Sequence, residues 1–548
     1  MIIVYPFMCG VFALFGAQVS EEVARASFQK CQRRGPEYSS FQTPRYDVIL
    51  GFHRLAINGL DAGSNQPLVR GDLVLICNGE IYNHKILYQE MGATPETHSD
   101  CEVILHMYER YGILQTLMYL DGVFAFVLWD KARNEVFAAR DPFGVRPLYW
   151  AVTPHLVGFA SEAKCLVDPF HISNDGTEPT IFGQFPPGRF VTLRNHHDTW
   201  NVSLNESFFC MAQTVSFMHN APRDDYGCSI RNKVMEAVAK RCDNTERPVA
   251  CLLSGGLDSS LVAALVARCV GKNKPIETFS IGLEGSEDLA FARKVAEHIG
   301  SKHHEVVVSE DDMFRAIPEV VDALETYDVT TVRASLGNYL LGKYIAGHSD
   351  AKVIFNGDGS DELFGGYLYM HKCPDSIEFD KETRRLLTNI HKFDVLRSDK
   401  SISSHGLEPR TPFLDKSLVC GVLSIPCQER NHTVLGLCEK VLLRNAFAEP
   451  LDGIPLLPDE VLMRKKEAFS DGVTHHKRSL FTILQEKIAS LNRPGKEHLS
   501  GIDLERDYYK ELFEAIFPNN VFPNTDIWMP KYVQASDPSA RTLDIYKE

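Results

Sequence analysis

The feature that most constrains the fold of this chain is a regular alternation of short apolar strands and helices after residue 226. The alternation comprises predicted strands at Pro248–Leu253, Glu277–Gly282 and His304–Val308 and predicted helices at Ser259–Val270 and Asp288–Ile299. Strands that are separated by helices in this way pack as a parallel sheet covered by helices. The sequence therefore predicts an α/β parallel-sheet domain, with additional helices over 314–348 and most of 376–500.

Residues 9–210 follow a different pattern, in which short β-rich runs are separated by turn-forming residues. The predicted strands are Val11–Phe15, Val48–His53, Leu73–Cys77, Ala125–Trp129, Glu135–Ala139, Leu148–Ala151 and Phe190–Leu193. One helix is predicted at Ser99–Tyr111, because this segment opens with a serine and acidic residues. We therefore expect an α+β layered sandwich over 9–210, a polar linker at 211–225 and a second domain at 226–548.

Composition and charge exclude several classes of function. The chain has 548 residues, of which 44% are hydrophobic and 24% charged, as in globular proteins of several domains. The formal net charge of −15 argues against a protein that binds nucleic acid or an anionic membrane. The 14 cysteines form no CxxC pair, which favours reduced thiols in a cytoplasmic protein over a zinc site or a disulfide framework.

A glycine-rich loop, Ser254–Ser260 (SGGLDSS), connects a predicted strand to a predicted helix. Its glycines let the backbone approach a phosphate closely, and the free N–H groups of the helix that follows attract an anion. Asp258 could hold a Mg²⁺ ion that neutralises polyphosphate charge. The loop lacks the GxxxxGK[ST] pattern of a Walker loop. It predicts a phosphate site of another type, and the alternative is an ordinary tight turn.

A second loop of the same kind lies at Val353–Tyr367, where a strand is followed by glycines and the carboxylates of Asp358, Asp361 and Glu362. Carboxylates packed together are unfavourable without cations or solvent. The loop predicts a site for a metal-bound nucleotide and an acyl-adenylate, with a solvated acidic loop as the alternative. Further along, Lys466 could stabilise charge on the α-phosphate and on the departing pyrophosphate.

The N-terminal region carries a candidate thiol nucleophile, Cys9, directly after Met8. If the preceding residues are removed, the α-amine of Cys9, with a pKa of about 8, can act as the base for its own thiol. The alternative is a small buried residue at the start of a strand. Whether residues 1–8 are present in the active protein is left open.

Three short motifs supply groups that could bind the ends of a small amino acid. Arg54, in HRLAIN, could bind a carboxylate through two hydrogen bonds. Asn78 and Gly79, in NGEIYNH, offer a side-chain amide and a backbone N–H for an oxyanion hole. Asp100, in SDCE, could bind an α-ammonium group.

Together these motifs resemble the glutamine-hydrolysing asparagine synthetases. The strings MCG, RRGP, RLAI, NGEIYNH, SDCEVI and ARDPFGVRPLY are similar to a class II glutamine amidotransferase of the N-terminal nucleophile type. The strings SGGLDSS, ETYDVTTVRAS, GDGSDELFGGY, PFLD, KEAFSDG and DPSARTL are similar to an ATP-pyrophosphatase synthetase domain. The resemblance covers nearly the whole chain from Met8 onward.

The resemblance implies a reaction and a set of residue roles. ATP, aspartate and glutamine would give asparagine, glutamate, AMP and pyrophosphate through a β-aspartyl adenylate, with ammonia passing through an internal tunnel. The implied catalytic residues are Cys9, Asn78, Gly79, Asp358 and Lys466. The implied glutamine contacts are Arg54, Leu55, Ala56, Ile57, Asn58, Asn78, Gly79, Glu80 and Asp100. The implied ATP contacts are Leu252, Ser254, Gly255, Gly256, Asp258, Ser259, Ile281, Asn356 and Gly357, with Mg²⁺ on Asp258 and Asp361. The expected partners are small molecules, and a homodimer is left open.

The sequence also departs from the family pattern. Asn356–Gly359 reads NGDG where close relatives often read SGEG, and 408–412 reads EPRTP where EARVP is more usual. Two alternatives therefore stay open: an ammonia-dependent ligase with an inactive glutaminase domain, or one that activates another acid, and a non-catalytic sensor of nucleotide and amino acid. Aspartate-dependent exchange of pyrophosphate into ATP separates the ligase from the sensor.

Overall fold

A computed structural model describes residues 9–16, 19–172, 181–211, 223–270, 275–433, 436–464, 472–474, 478–518, 522 and 526–543. Residues 1–8, most of the predicted linker and the candidate Lys466 lie outside these ranges. In the described part, no helix is long and apolar enough to cross a membrane.

The first half of the chain contains two six-stranded antiparallel sheets. The strands are β1 (Gly10–Phe15), β2 (Tyr38–Arg45), β3 (Val48–Arg54), β4 (Leu68–Arg70), β5 (Leu73–Ile81), β6 (Gly122–Asp130), β7 (Glu135–Arg140), β8 (Tyr149–Val152), β9 (Val157–Ala160), β10 (Ile181–Gln184), β11 (Arg189–His196) and β12 (Thr199–Ser207). The strand orders are β10-β8-β9-β1-β3-β2 and β12-β11-β7-β6-β5-β4. The helices are α1 (Glu21–Gln29), α2 (His84–Met91), α3 (Val103–Tyr119) and α4 (Lys164–Ile172).

The alternation of side chains along β1 and β5 explains how these sheets pack. Val11 and Ala13 of β1 lie in one apolar core with Val74 and Ile76 of β5, so these faces of the two sheets oppose each other. The intervening residues, such as Phe12, pack instead in a core with residues of α1 and α4. Residues of α2 and α3 cover the outer face of the second sheet. The result is a four-layer sandwich, which confirms the predicted layered α+β fold.

The second half contains a five-stranded parallel sheet with the strand order β15-β14-β13-β16-β17. Its strands are β13 (Val249–Leu252), β14 (Glu277–Gly282), β15 (Lys302–Val307), β16 (Val353–Phe355) and β17 (Glu408–Arg410). The α-helices are α5 (Arg223–Asp243), α6 (Leu257–Val270), α7 (Glu287–Ile299), α8 (Glu310–Arg315), α9 (Ile317–Leu324), α10 (Val329–His348), α11 (Ser360–Phe364), α12 (Ser376–Asn389), α13 (Asp394–Ser403), α14 (Lys416–Ser424), α15 (Cys427–Arg430), α16 (Val441–Ala446), α17 (Asp459–Leu462), α18 (Leu480–Ser490) and α19 (Gly501–Ile516). This architecture confirms the predicted α/β fold.

The strand order of this sheet changes direction between β13 and β16. From β13 the chain first builds β14 and β15 on one side, and β16 and β17 are then added on the other. In open parallel sheets, ligands bind at such a switch point, outside the carboxyl ends of the strands. The two glycine-rich loops follow β13 and β16, so the topology brings both to this point.

The predicted strands are all present, and the majority of their ends agree with the structure to within two residues. Several edge strands and short helices were not predicted. The helix predicted at Ser99–Tyr111 begins as a 3₁₀ turn at Asp100–Glu102 and continues as α3 beyond the predicted end. Gly112 interrupts α3 with a φ of 77°, a left-handed conformation that glycine adopts without a steric penalty. The helical pattern of the sequence ends at Tyr111 because Gly112 breaks it, although the helix resumes after this kink.

Candidate active sites

The loop after β13 has a backbone shape that only glycine permits. Gly255 has a φ of +73°, and a Cβ at this position would lie 2.5 Å from the backbone nitrogen of Ala292. The hydroxyls of Ser254 and Ser259 lie 3.0 Å apart and close the loop on itself at the start of α6. These contacts fix the shape of the loop at the carboxyl end of the sheet. Its backbone N–H groups can bind an anion there.

The two glycine-rich loops line a single cavity at the switch point of the parallel sheet. Its walls include the predicted ATP contacts Leu252, Ser254, Gly256, Asp258, Ser259, Ile281, Asn356 and Gly357. Asp358 and Asp361 line the same cavity. Gly255, the remaining predicted contact, shapes the loop through its backbone. The structure therefore brings together groups that are about a hundred residues apart in the sequence.

The two candidate magnesium ligands converge on a buried lysine that the sequence did not single out. The ammonium of Lys440 lies 2.5 Å from the Asp258 carboxylate and 2.6 Å from the Asp361 carboxylate. Asp258 also accepts a hydrogen bond of 2.8 Å from Ser360. Two carboxylates that already share one positive charge fit a divalent cation with oxygen ligands. The described residues contain no cluster of three metal-binding side chains, and Mg²⁺ at a nucleotide typically uses only one or two carboxylates besides phosphate oxygens.

Asp358 stands on the cavity wall next to an arginine of α13. The guanidinium of Arg397 donates a hydrogen bond of 2.7 Å to one carboxylate oxygen of Asp358. Burial raises the pKa of Asp358, and the charge of Arg397 opposes that shift. Asn356 is fixed in place, because its side-chain amide donates to the Ser398 hydroxyl at 2.6 Å and its carbonyl oxygen accepts from the backbone N–H of Asp358.

Cys9 lies directly before β1, and its neighbours place it at the end of the sandwich core. The alternation that points Val11 and Ala13 into the core also directs Cys9 inward, and Cys9 packs against that core. Its sulfur accepts a hydrogen bond from the backbone N–H of Leu55 at 3.4 Å and lies 3.3 Å from the Leu55 carbonyl oxygen. Burial raises the pKa of the Cys9 thiol to about 12, so the thiol needs a base to become a nucleophile at neutral pH.

Asn78 and Gly79 lie near the end of β5, in the opposite sheet. Alternate residues of this strand point to the same face, and that face includes Val74, Ile76 and Asn78. Asn78 therefore continues the inward-facing row that opposes β1. Within the part of the chain that the structure describes, the buried side-chain nitrogen of Asn78 has no hydrogen-bond partner. A buried donor left unpaired is unfavourable in a resting protein, and it fits a group reserved for an oxyanion.

Gly79 is required by the close approach of β6. A Cβ at Gly79 would lie 2.4 Å from the carbonyl oxygen of Val123 and 2.7 Å from the Cα of Phe124. Substitution would therefore push β5 away from β6 and move Asn78 with it.

Arg54 is buried and already surrounded by acceptors of the loop that follows it. Its guanidinium donates to the carbonyl oxygens of Asn58, Gly59 and Asp61 and, at 2.6 Å, to the side chain of Asn65. A glutamine carboxylate would have to compete with these bonds.

The loop that follows Arg54 is held in turn by the second half of the chain. The Arg247 guanidinium donates to the Ala56 carbonyl at 2.7 Å, and the backbone N–H of Glu246 donates to the Ile57 carbonyl at 3.0 Å.

Glu80 and Asp100 form a buried acidic pair that is bridged by Asn244. The side-chain amide of Asn244 donates to Glu80 at 2.7 Å and to Asp100 at 3.2 Å, and the Asn58 amide donates to Glu80 at 2.6 Å. Asp100 also accepts a hydrogen bond from the backbone N–H of Ile81 at 2.7 Å. Burial, and then the charge of Asp100, raise the pKa of Glu80 well above its ordinary value.

One apolar core joins the two candidate sites. It contains Leu55 and Val145 from the first half and Leu253 and Leu257 from the ATP loop region, and Cys9 packs against it. The thiol and the nucleotide cavity are therefore linked through continuous apolar packing.

Sequence reasoning missed Lys440, Arg397 and Asn244. Lys440 lies in the turn directly before α16, Arg397 lies in α13, and neither segment has a glycine-rich or nucleotide-binding pattern. Asn244 lies in a polar connection between α5 and β13. Their partners are distant in the chain, so only folding brings them to the sites. Lys466 stays a prediction, because it lies outside the described residues.

Comparisons with known proteins match both halves. A family model described as "Asparagine synthase" matches residues 229–380 and 374–519, and one described as "Glutamine amidotransferase domain" matches residues 8–185. Curated relatives named asparagine synthetase (glutamine-hydrolyzing) match nearly end to end. The Gallus gallus protein is 41% identical, and those of Cricetulus griseus and Homo sapiens are 40% identical. Each alignment covers 98% of this chain and 99% of the relative.

Proposed function

This chain belongs to the glutamine-hydrolysing asparagine synthetases, and we propose how its residues divide the reaction between two sites. The enzyme makes asparagine from aspartate with ATP, and takes the nitrogen from the amide of glutamine. In our proposal residues 9–210 hydrolyse glutamine, residues 211–225 link the halves, and residues 226–548 activate aspartate. The division of the three sheets between residues 10–207 and 249–410 supports two separate halves.

The nucleotide cavity is the proposed site of aspartate activation. Backbone N–H groups of Ser254–Ser259 would bind the polyphosphate, and Leu252 and Ile281 would contact the adenine. The aspartate β-carboxylate attacks the α-phosphorus, the bond to the β-phosphate breaks, and pyrophosphate leaves. Asp258 and Asp361 would hold Mg²⁺, which supplies positive charge to the phosphates when bound. Lys440 would add positive charge there, and Lys466 stays the predicted contact to phosphate.

Glutamine hydrolysis is assigned to the end of the sandwich. With a free α-amine as base, the Cys9 thiol attacks the side-chain amide carbon of glutamine, and the oxyanion is stabilised by the Asn78 amide and the backbone N–H of Gly79. Ammonia leaves, and water then releases glutamate from the thioester. Arg54 and Asp100 would bind the two charged ends of glutamine after exchanging some of their present hydrogen bonds for substrate.

Ammonia would pass through the apolar core between Cys9 and Leu257 and attack the carbonyl carbon of the adenylate, so that AMP leaves. Bulk water would protonate ammonia and dilute it, and the apolar path avoids both losses. We also propose a cytoplasmic protein, since the structure contains all 14 cysteines as free thiols.

The observation that carries the aspartate-activating assignment is the convergence of Asp258 and Asp361 on one charge inside the cavity of the SGGLDSS loop. The test is the identity of the nucleotide product. With aspartate and glutamine, the enzyme should form AMP and pyrophosphate in equal amounts. ADP and phosphate as products would show that the loop binds the nucleotide for a different cleavage.

A further inference from the structure

The C-terminal segment Trp528–Leu543 lines the nucleotide cavity together with the glycine-rich loops. Its lining residues are Trp528, Pro530, Pro538, Ser539, Ala540 and Leu543. Most of these side chains are apolar, whereas the glycine-rich loops present carboxylates and backbone N–H groups. This segment therefore supplies apolar surface to a cavity in which the reacting groups are polar.

The segment is anchored to α10 by a buried cluster of three charged side chains. The guanidinium of Arg333 donates two hydrogen bonds to Asp537, at 2.7 and 2.8 Å, and two to Glu505 of α19, at 2.7 and 2.5 Å. The three side chains are between 0% and 7% exposed. Gln485 donates to both carboxylates at 3.2 Å. Removing one partner of such a group leaves buried charge imperfectly compensated, so the anchor resists opening.

A second anchor lies at the start of the segment. The backbone N–H of Trp528 donates a hydrogen bond of 2.9 Å to Asp328, the capping residue of α10. The Trp528 ring packs against Tyr367 and Tyr369 with centroid distances of 5.5 and 6.1 Å. Leu543 packs in the same apolar cluster, so both ends of the segment are fixed to the cavity wall.

We propose that Trp528–Leu543 is a water-excluding wall of the synthetase site, and that Asp537 positions it through Arg333. An acyl-adenylate is a mixed anhydride that water can also attack. Water adds to the carbonyl carbon, the bond from that carbon to the phosphate oxygen breaks, and aspartate, AMP and a proton are released. One ATP is then consumed without asparagine. Apolar surface against the intermediate keeps water away while ammonia arrives from inside the protein.

This inference rests on the proposed adenylate chemistry, and its test is the number of pyrophosphate molecules released for each asparagine formed. The measurement uses the full chain with saturating aspartate, ATP and ammonium. Three changes weaken the wall: deletion of residues 537–548, Asp537→Asn and Leu543→Ala. The matched control is Lys531→Ala, because Lys531 belongs to the same segment, is 37% exposed and pairs with Glu378 and Glu382, neither of which lines the cavity. Glutaminase activity without ATP reports the integrity of the other half.

The parent enzyme and Lys531→Ala should release about one pyrophosphate per asparagine, and the deletion should raise this ratio by about fivefold or more. Asp537→Asn should give a smaller increase, and Leu543→Ala about twofold. A parental ratio in the deleted chain would overturn the proposal. So would an equal fall in pyrophosphate and asparagine, because the segment would then support activation and not protection. If the deletion also abolishes glutaminase activity, Leu543→Ala decides, and a parental ratio there overturns the proposal. Absence of pyrophosphate from the parent would instead refute the adenylate chemistry.

Discussion

The two proposed reaction sites of this enzyme are organised in different ways. In the nucleotide cavity, the predicted contacts line an open space, and Lys440 holds the charge of Asp258 and Asp361. In the glutamine site, Arg54 and Asp100 are already hydrogen-bonded to the protein. In our proposal the first site is preformed for a large anionic ligand. The second site must replace hydrogen bonds within the protein by hydrogen bonds to the substrate. Its activity therefore depends on the contacts that hold its loops.

The largest effect should separate the two sites completely. Asp258→Asn should abolish pyrophosphate release and leave glutamine hydrolysis measurable, because the carboxylate serves only the nucleotide cavity. Cys9→Ala should do the reverse: it should abolish glutamine hydrolysis and leave asparagine formation from ammonium intact. Product assays for glutamate and pyrophosphate check both variants. If either change removes both activities in a folded protein, the two sites are not independent.

A second test concerns the unpaired donor at Asn78. Asn78→Ala should lower kcat for glutamine hydrolysis about 10²-fold, the usual loss for one oxyanion-hole donor, with little change in KM. Asn83→Ala is the matched control from the same motif. The Asn83 side chain bonds to the Tyr119 carbonyl and the Asp121 N–H, so its loss should leave kcat unchanged. Equal losses of kcat in both variants would show that Asn78 has only a structural role.

The cations of the nucleotide site give a third comparison. Lys466→Ala should reduce asparagine formation at least about tenfold, since a charge contact in a site that excludes water is worth more than about 1.4 kcal/mol. Lys510→Ala is the control, because Lys510 forms an exposed pair with Glu514 on α19. A normal rate for Lys466→Ala would show that Lys466 does not contact the phosphates. The proposed role would then belong to Lys440.

The smallest effect concerns stability. Asp415 pairs with Arg241 at 2.9 Å and with Lys240 at 2.5 Å. Burial opposes ionisation of Asp415, but these cations dominate and lower its pKa to about 2. A carboxyl group whose pKa is lowered in the folded state stabilises the protein at neutral pH. That contribution is lost as the pH falls from about 4 to about 2.

Asp415→Asn should therefore lower the free energy of unfolding by about 2 kcal/mol at pH 7, and the difference from the parent should disappear near pH 2. Asp375→Asn is the control, because Asp375 caps α12 on the surface through two backbone N–H groups. Denaturant unfolding at several pH values measures both variants. Asp415 also caps α14 through the backbone N–H groups of Ser417 and Leu418, and asparagine can keep that cap. A pH-independent difference for Asp415→Asn would therefore show that the charge of Asp415 is not its main contribution.

The same contrast explains what could be predicted from the sequence. Strand-helix alternation and the loop Ser254–Ser260 predicted the parallel sheet and its ligand site, because phosphate binding there depends on local backbone shape. The β-rich run Val11–Phe15 likewise predicted a strand, which the structure places in β1. Lys440 and Asn244 could not be predicted, since their roles come from partners far away in the chain. Nor could the present hydrogen bonds of Arg54, which depend on how its loop closes.

The most direct test of the contrast between the two sites compares two preparations of this enzyme. One begins at Cys9, and the other retains residues 1–8 with a blocked N-terminus. Each is assayed for asparagine formation with glutamine and with ammonium. We expect equal rates with ammonium, because the nucleotide site needs nothing from the N-terminus. With glutamine, only the chain that begins at Cys9 should be active, because an amide nitrogen cannot accept the thiol proton. Equal glutamine-dependent rates in both preparations would contradict this account.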